Sequence, residues 1–274
     1  MTTTLRPSGP LQESSGGARS RPYEVRVNSR RVGALLLASD TPFGPTVGEI
    51  RDLSIDGPDR RRGRGTVAAL AAEEVLRSWG CRRVRVAVPA DSVAGLRMAS
   101  ALGYAEYSRN MAKDLPSEPP SLPAGVRGRP MTEAEYGPWL ARAIVAYAED
   151  WSSRGMPEEA ARAKSEADHT ESLPQGLRTP GADLVVLEAD GEPVGHLWVA
   201  RPGGEAYVYD VEVAAAHRGR GHGRSLMLLA ERTALATGGR TLGLQVFEGN
   251  TPARRLYESL GYTPTTVNFA KNLI

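Results

Sequence analysis

A short run of arginine and glycine is the part of the sequence whose residue types point most directly to chemistry. It follows a β-branched and aromatic run at 206–213 and precedes an apolar helical segment that begins at Arg224. A glycine-rich turn that opens a helix presents unpaired backbone N–H groups at the positive end of the helix dipole, and glycine lets a ligand approach the main chain closely. The run therefore predicts a site for an anion, most naturally phosphate. Its six residues are Arg218, Gly219, Arg220, Gly221, His222 and Gly223.

The spacing of this run separates it from two common nucleotide-binding patterns. The Walker pattern requires Gly-Lys-Ser/Thr, which does not follow here. The dinucleotide fingerprint requires G-x-G-x-x-G, whereas the run has the spacing Arg-x-x-Gly-x-Gly. Taken alone, the run is also compatible with an ordinary surface loop. Its interpretation therefore depends on a second motif.

The second motif follows one strand later and centres on a tyrosine. Asn250 and Thr251 precede Pro252, which suits the first turn of a helix that has Thr251 as its N-cap. Tyr257 then lies on the apolar face of this helix, and Gly261 is placed to end it. A phenol with a pKa of about 10 stays protonated near neutral pH and can protonate a leaving group. The competing interpretation of Tyr257 is an ordinary core residue of an amphipathic helix.

Together the two motifs resemble the signature of the GNAT superfamily of acyl-CoA-dependent N-acyltransferases. The resemblance implies acetyl-CoA as cosubstrate and direct transfer of the acetyl group, without a covalent enzyme intermediate, to a primary amine of a small molecule, peptide or protein. It also implies that Tyr257 is the general acid toward the leaving thiolate. The residues implied in CoA binding are Val211 and Val213 through their main chain, the loop residues Arg218, Gly219, Arg220, Gly221, His222, Gly223 and Arg224, and Asn250 and Tyr257.

The base that would take the proton of the amine is not marked by a motif. Asp210 and Glu212 are the catalytic candidates on the strand, and Glu205 lies beside it. By strand alternation Tyr207 and Tyr209 are expected on the opposite face from Asp210 and Glu212. The competing interpretation is a row of solvated carboxylates at a strand edge.

An internal repeat divides the chain into two copies. The match is held at a constant offset of 158 residues, and so long a period indicates two copies of one domain. A proline-rich stretch suits a linker between them. We therefore predict a first domain at 1–115, a linker at 116–125 and a second domain at 126–274. The predicted fold class is α/β, with two GNAT-like domains in tandem, each a mixed, mostly antiparallel central sheet flanked by helices. Matching positions include Arg60 with Arg218, Gly63 with Gly221, Gly65 with Gly223 and Lys113 with Lys271.

The two copies differ where chemistry is concerned. At the offset of 158 residues, Ala99 takes the place of Tyr257 and Ser92 that of Asn250. Two helices expected near 139–150 and 158–172 have no counterpart in the first copy, which begins with loose chain and one short strand. The first domain is therefore predicted to be a degenerate copy, truncated on its N-terminal side, and catalysis is assigned to the second. The sequence leaves open whether the first copy binds CoA.

Composition narrows the function classes. The 274 residues are 41% hydrophobic and 24% charged, and the net charge of +2 argues against a dedicated nucleic-acid binder. The single cysteine, Cys81, excludes an intrachain disulfide, and the four histidines lack ligand spacing, so no metal is predicted. The sequence contains no apolar run of membrane-spanning length and no recognisable secretory signal. These observations predict a cytoplasmic protein without a membrane partner.

The segment 131–174 bears on the acceptor. It holds nine acidic residues against four lysines and arginines, with aromatic residues interleaved, which favours a cationic acceptor. Two functions of other classes remain open. One is a non-catalytic acyl-CoA sensor or regulatory module. The other is a nucleic-acid-associated protein that uses the arginines at 60–64, although the near-neutral net charge makes nucleic acid an unfavoured partner.

Overall fold

The computed structural model describes residues 2–14, 17–39, 44, 46–153 and 155–273. Within it the chain forms two compact units. Unit 1 consists of two separate stretches, Met1–Tyr107 and Thr266–Ile274, and unit 2 is Ser108–Thr265. Each unit has a mixed sheet and helices, which is the predicted α/β class. Each is described below by itself.

Among the described residues, strands alternate with α-helices in two parts of the chain, 47–114 and 206–272, and elsewhere several strands follow one another. In chain order they are β1 Thr3–Pro7, β2 Gln12–Glu13, β3 Arg19–Val27, β4 Arg30–Ser39, β5 Val47–Ile55, β6 Arg83–Pro89, β7 Ala105–Asp114, β8 Val126–Pro130, β9 Ala182–Ala189, β10 Glu192–Ala200, β11 Ala206–Val213, β12 Thr241–Phe247 and β13 Thr263–Asn272.

Helices carry the apolar 3.6-residue pattern and often end at glycine. They are α1 Arg64–Ser78, α2 Val93–Ala101, α3 Glu133–Ser153, α4 Glu158–Ser172, α5 His222–Ala236 and α6 Thr251–Ser259. The two short helices α2 and α6 are each followed by a glycine in the left-handed region, Gly103 at φ 80° and Gly261 at φ 89°. Within the residues that the structure covers, no helix combines the length and the apolar character that crossing a membrane requires.

Unit 1 contains a sheet in the order β1-β3-β4-β5-β6-β13, with β2 paired to β3. The β5–β6 pair is parallel and its other pairs are antiparallel. The helices α1 and α2 contribute to a core in which Val25, Leu37, Leu76 and Val84 are fully buried. Most side chains of this core are β-branched or leucine, and they come from the sheet and from the helices packed on it.

Unit 2 contains a sheet in the order β7-β12-β11-β10-β9-β8. The β11–β12 pair is parallel and the other pairs are antiparallel. The helix α5 packs on this sheet around Leu226 and Met227, both fully buried. A second, aromatic cluster includes Trp139 from α3 and Trp198 from β10. The helices α3 and α4, expected from the sequence, pack against each other, and α4 has the predicted bounds.

The final strand of each copy belongs to the unit built mainly from the other copy. β13, at the end of the second copy, pairs with β6 in unit 1, with Phe269 opposite Val86. β7, at the end of the first copy, pairs through its residues 108–114 with β12 in unit 2, with Met111 opposite Leu244. The sequential division at 1–115 and 126–274 stays a prediction about domains. The compact units depart from it in this exchange of last strands.

A buried ion pair accompanies each exchanged strand. In unit 2, Lys113 Nζ lies 2.7 Å from Glu231 Oε1, and the Glu231 side chain is 1% exposed. In unit 1, Lys271 Nζ lies 2.8 Å from Glu73 Oε2. These four residues form two pairs related by the offset of 158 residues. The internal repeat therefore extends to these ion pairs, but in each pair the lysine and the glutamate come from different copies.

The stretch predicted as a linker, 116–125, has no helix or strand and lies against unit 2. Just before it, the N–H of Leu115 donates to the carbonyl of Arg240 at 2.8 Å. Within it, the guanidinium of Arg232 donates to the carbonyl of Pro120 at 3.0 Å, and Leu122 packs against the core. The prolines thus belong to a segment that is tied down rather than to a free spacer.

Candidate active site

The site is organised by a gap between two parallel strands of unit 2. The β11–β12 pairing covers only Ala206–Val208 on β11, although β11 continues to Val213. Beyond Val208 the two strands separate, so the edge of β11 that faces β12 has no ladder partner there. Main-chain N–H and C=O groups that leave a ladder require another hydrogen-bond partner. Val211 and Val213, predicted to bind through their main chain, lie in this stretch, and their side chains pack on the core. An extended ligand could bond this edge.

The glycine loop follows directly and ends at the start of α5. Gly219 and Gly221 have φ values of 77° and 87°, a left-handed conformation that favours glycine. An added Cβ at either position would meet no atom within 4 Å, so the space beside the loop is open. Gly221 is the N-cap of the 15-residue helix α5 and makes no side-chain cap hydrogen bond. The N–H groups of the first turn are therefore placed to bind an anion.

The side chains of the loop have separate roles. Arg218 folds back, because its Nε–H donates to the carbonyl of Val213 at 3.1 Å. The Arg224 guanidinium donates to Ser259 Oγ at 2.7 Å and so ties α5 to the end of α6. A Cβ at Gly223 would lie 3.2 Å from a methyl carbon of Leu256, so this glycine permits close packing of α5 and α6.

The two remaining loop side chains make fewer contacts with the protein. Arg220 is exposed, and the imidazole ring of His222 lies 6.3 Å from that of His217. A guanidinium beside an uncapped helix N-terminus adds positive charge to the anion site. The predicted loop set is thus brought together in one place, with Arg220 directed to solvent.

Asn250 has a structural role that the sequence analysis assigned to its neighbour. Its Oδ1 accepts from the N–H of Ala253 at 3.2 Å, which makes Asn250 the N-cap of α6. The prediction that Thr251 is the N-cap is wrong, because Thr251 is already the first helical residue. In unit 1, Ser92 caps α2 in the same way, accepting from Gly95. Asn250 therefore fixes the helix that carries Tyr257, and its contact with CoA stays a prediction.

Tyr257 is a buried phenol with raised pKa. It is 7% exposed and belongs to the core of unit 2. Burial raises its pKa to about 12, and the charge of Asp210 contributes in the same direction. The phenol is therefore protonated throughout the neutral range and can act only as a proton donor there.

Asp210 is the centre of a hydrogen-bonded group that the sequence analysis missed. Its Oδ2 accepts from Trp139 Nε1 at 3.1 Å and from His196 Nε2 at 2.9 Å. Burial alone would raise the pKa of Asp210, but the hydrogen bonds from His196 and Trp139 and the charge of nearby His169 outweigh it and lower the pKa. The carboxyl is therefore ionised near neutral pH. Neither partner could be found from a local motif, because each lies on a different element.

Strand alternation in β11 is broken by a bulge. The register with β10 shifts between Trp198, opposite Asp210, and Val199, opposite Val208, so Tyr209 has no partner of its own. The expectation that the tyrosines lie on the opposite face from the carboxylates is therefore wrong. Tyr207, Tyr209, Asp210 and Glu212 border one cavity.

This cavity has a volume of about 990 Å³ and is formed by α3, α4, β10, β11 and β12. Its lining combines carboxylates with aromatic rings, and Trp198 stacks on Tyr209 with a centroid distance of 4.6 Å. The carboxylates are Glu149, Asp150, Asp168, Glu171, Asp210 and Glu212. Aromatic side chains are Trp139, Tyr147, Trp198, Tyr207, Tyr209 and Phe247. A surface of this kind attracts a cation.

Two other candidates from the sequence take less central positions. Glu205 is exposed just before β11 and does not border the cavity. Glu212 borders it, but its carboxylate also lies 3.4 Å from the Arg218 guanidinium. In the described ranges, no group of histidine, cysteine, aspartate or glutamate side chains is arranged to hold a metal ion.

Comparisons with known proteins identify the family of the chain. The family described as Acetyltransferase (GNAT) family matches residues 6–104 and 140–262. The chain belongs to the GNAT family. Both copies are covered by the match, so the predicted tandem arrangement is confirmed, and membership makes the protein an acetyltransferase.

Among its relatives is the uncharacterized N-acetyltransferase YycN of Bacillus subtilis, 34% identical over 53% of this chain and 96% of that protein. Mycothiol acetyltransferase of Beutenbergia cavernae is 31% identical over 82% of this chain and 77% of that protein. A solved tandem GNAT protein from the clavulanic acid biosynthesis pathway is 21% identical, covers 95% of this chain and 85% of its own, and superposes with a TM-score of 0.54. At that identity the likeness concerns the fold.

Proposed function

We propose that unit 2 is an acetyl-CoA-dependent N-acetyltransferase that transfers the acetyl group directly to a cationic primary amine. The observation that carries the proposal is the position of Tyr257. This buried, protonated phenol belongs to the core against which Val211 of β11 packs, and the neighbouring Asp210 borders the acidic and aromatic cavity. The same strand, β11, ends in the glycine loop. A donor site, a proton donor and an acceptor cavity are thus carried by adjoining elements.

Acetyl-CoA, when bound, supplies the acetyl group as a thioester. Its phosphates would be held by the N–H groups of the loop from Arg218 to Arg224, with Arg220 adding charge. The main chain of Val211 and Val213 would bond the extended part of the molecule. These assignments are supported by the open space beside Gly219 and Gly221 and by the separation of β11 from β12 after Val208.

The phenol of Tyr257 protonates the departing sulfur. Its pKa of about 12 keeps it protonated at every pH at which the enzyme is expected to work, and burial keeps water from competing for the same proton. Since Ala99 stands at the matching position of unit 1, catalysis is assigned to unit 2 alone.

The acceptor is an amine that carries positive charge when it enters. Six carboxylates against one guanidinium, that of Arg142, border the cavity among the described residues. Asp210 is the carboxylate of this set whose charge contributes to the raised pKa of Tyr257. An ammonium held there becomes the attacking amine once it has lost a proton, which supports a small molecule or a peptide N-terminus as acceptor.

The experiment is a panel of amines assayed by the release of free CoA thiol. Cationic amines are expected to react at least about tenfold better in kcat/KM than neutral or carboxylated analogues of the same size, because a single favourable charge contact is worth about 1.4 kcal/mol or more. Equal rates for the carboxylated analogues would contradict the assignment of a cationic acceptor. Binding of acetyl-CoA without turnover of any amine would instead indicate a non-catalytic sensor.

A further inference from the structure

His196 lies beside the reacting centre, and nothing in the proposed function uses it. It is on β10, directly opposite Glu212 in the ladder with β11. Its Nε2 lies 2.9 Å from Asp210 Oδ2 and 3.7 Å from Glu212 Oε2. The side chain is 15% exposed and borders the cavity. The proposed function gives no step to this imidazole, although it lies between two carboxylates beside the proposed amine site.

The proton positions on this imidazole follow from its partner. An ionised carboxylate can only accept, so the hydrogen bond to Asp210 places a proton on Nε2 of His196. In the neutral ring the other nitrogen, Nδ1, then carries the lone pair. Asp210 and Glu212 stabilise the imidazolium that forms when Nδ1 takes a proton. This arrangement orients a base through a carboxylate, with the orienting group on one nitrogen and the proton transfer on the other.

The carboxylates themselves are poorly suited to take the proton. Asp210 accepts two hydrogen bonds, and its pKa lies below the ordinary value for an aspartate, so it is a weak base. A proton acceptor works best when its own pKa lies near the working pH, which imidazoles satisfy as a class. Asp210 is better suited to hold the ammonium and to orient His196.

The cavity contains a second imidazole, that of His169 on α4. Its Nδ1 lies 2.8 Å from the carbonyl of Ser165, which fixes the proton on that nitrogen. The ring is 9% exposed and lies 6.0 Å from the ring of Tyr147 and 5.8 Å from that of Trp198. These contacts join His169 to a main-chain carbonyl and aromatic rings, whereas His196 is hydrogen-bonded to a carboxylate. The charged and titratable groups that border the cavity with His196 are the carboxylates Asp210, Glu212, Glu149, Asp150, Asp168 and Glu171, the guanidinium of Arg142, the imidazole of His169 and the phenols of Tyr147, Tyr207 and Tyr209.

We propose that His196 is the proton acceptor of the reaction, with Asp210 as its positioning residue. This inference rests on the proposed function of unit 2. The ammonium gives one proton to Nδ1 of His196, directly or through one water, and the freed lone pair of the nitrogen forms the C–N bond. The C–S bond breaks as the proton of the Tyr257 phenol passes to sulfur. The second proton of the nitrogen restores the phenol, and the imidazolium releases its proton to water.

The first test is His196→Gln, with kcat/KM measured against pH on the amine that the wild type uses best. The glutamine amide can still donate to Asp210 but cannot take a proton. The expected loss in kcat is about 100-fold at neutral pH, the lower range for general base catalysis. The affinity for acetyl-CoA, measured by calorimetry, is expected to stay within about twofold and shows that the variant is folded. The wild type is expected to lose rate toward acid pH as its proton acceptor becomes protonated, and this fall should be absent in His196→Gln.

A matched variant, His169→Gln, separates the two imidazoles. It is expected to keep the acid fall in kcat/KM whatever its absolute rate. If His169→Gln loses that fall and His196→Gln keeps it, the proton acceptor is His169 and the proposal is overturned.

Chemical rescue distinguishes a proton acceptor from a residue that has only a structural role. In His196→Ala, added imidazole is expected to raise the rate at least about fivefold in proportion to its concentration, as a free base occupying the vacated space. His169→Ala should show no such rise. A folded His196→Ala with low activity, no rescue by imidazole and an unchanged pH profile would show that His196 has only a structural role. Activity of His196→Gln within about threefold of the wild type would also overturn the proposal. Absence of turnover in the wild type with every amine would defeat the proposed function itself, and this inference with it.

Discussion

Arg60 in unit 1 and Arg218 in unit 2 make the same contact. Each donates its Nε–H to the carbonyl that ends the preceding strand, that of Ile55 at 2.7 Å and that of Val213 at 3.1 Å. In both units the loop closes on a left-handed glycine N-cap and opens a 15-residue helix without a side-chain cap. In both, the parallel pair beside the loop is shorter than its strands. The backbone of the anion site is therefore present twice.

The side chains around the two loops are different. In unit 1, Asp59 is 3% exposed, accepts two hydrogen bonds from Arg30 at 2.7 and 2.9 Å, and contacts Arg64. The matching positions of Asp59 and Arg64 in unit 2 are His217 and His222. A buried carboxylate within a basic loop neutralises charge that would otherwise attract phosphate. Both units therefore retain the backbone of the loop, whereas the side chains to which we assign the function are present only in unit 2.

The largest expected effect is that of Tyr257→Phe. The change keeps the ring and removes the proton donor, so kcat should fall at least about 100-fold while the affinity for acetyl-CoA is nearly unchanged. The control is Tyr262→Phe, because Tyr262 is a buried tyrosine with its ring 6.1 Å from that of Tyr257. Its phenol lies 3.4 Å from Glu231, and its loss should leave kcat unaltered. Equal kcat in wild type and Tyr257→Phe would remove the chief difference between the units.

A pair of glycine variants tests which loop binds acetyl-CoA. An added Cβ meets similar crowding at both positions, 3.2 Å from Leu256 at Gly223 and 3.3 Å from Met98 at Gly65. A carboxylate in the first turn of α5 opposes the bound phosphates, so Gly223→Asp should weaken acetyl-CoA binding at least about tenfold, or 1.4 kcal/mol. Calorimetry of Gly65→Asp should match the wild type. Two binding events in the wild type, one of them lost in Gly65→Asp, would show that unit 1 also binds the cosubstrate.

The smallest effect concerns the lysines of the exchanged strands. A double-mutant cycle between Lys113→Met and Glu231→Gln should give a coupling of about 1 kcal/mol in the free energy of unfolding, because the two side chains are in contact. The cycle between Lys113→Met and Glu73→Gln should be additive within about 0.5 kcal/mol. Urea unfolding measures both. The reverse result would place β7 beside the helix of its own copy.

Many of the elements that position the site could be predicted, because short patterns of neighbouring residues mark where they begin and end. The strand β11 and the helix α4 have the predicted bounds, 206–213 and 158–172, since a β-branched run marks the strand and Pro157 directly precedes the helix. The glycine loop was found from its spacing for the same reason.

Other features depend on contacts between distant residues. His196 and Trp139 meet Asp210 from separate elements, and the bulge at Tyr209 changes which side chains share a face. The exchange of last strands leaves no trace in the sequence. Glu73 and Glu231 occupy matching positions of the two copies, so the sequence does not reveal which of them pairs with Lys113.

The exchange has a consequence for how such a gene can change. The first half encodes residues 108–114, which form the strand beside β12 in the unit that contains Tyr257. Trimming that half away would remove part of this sheet and expose the edge of β12, together with the buried Glu231. If catalysis belongs to the second copy, as we propose, the first copy is still expected to be retained through its last strand, because a gene without it would encode an incomplete sheet around Tyr257.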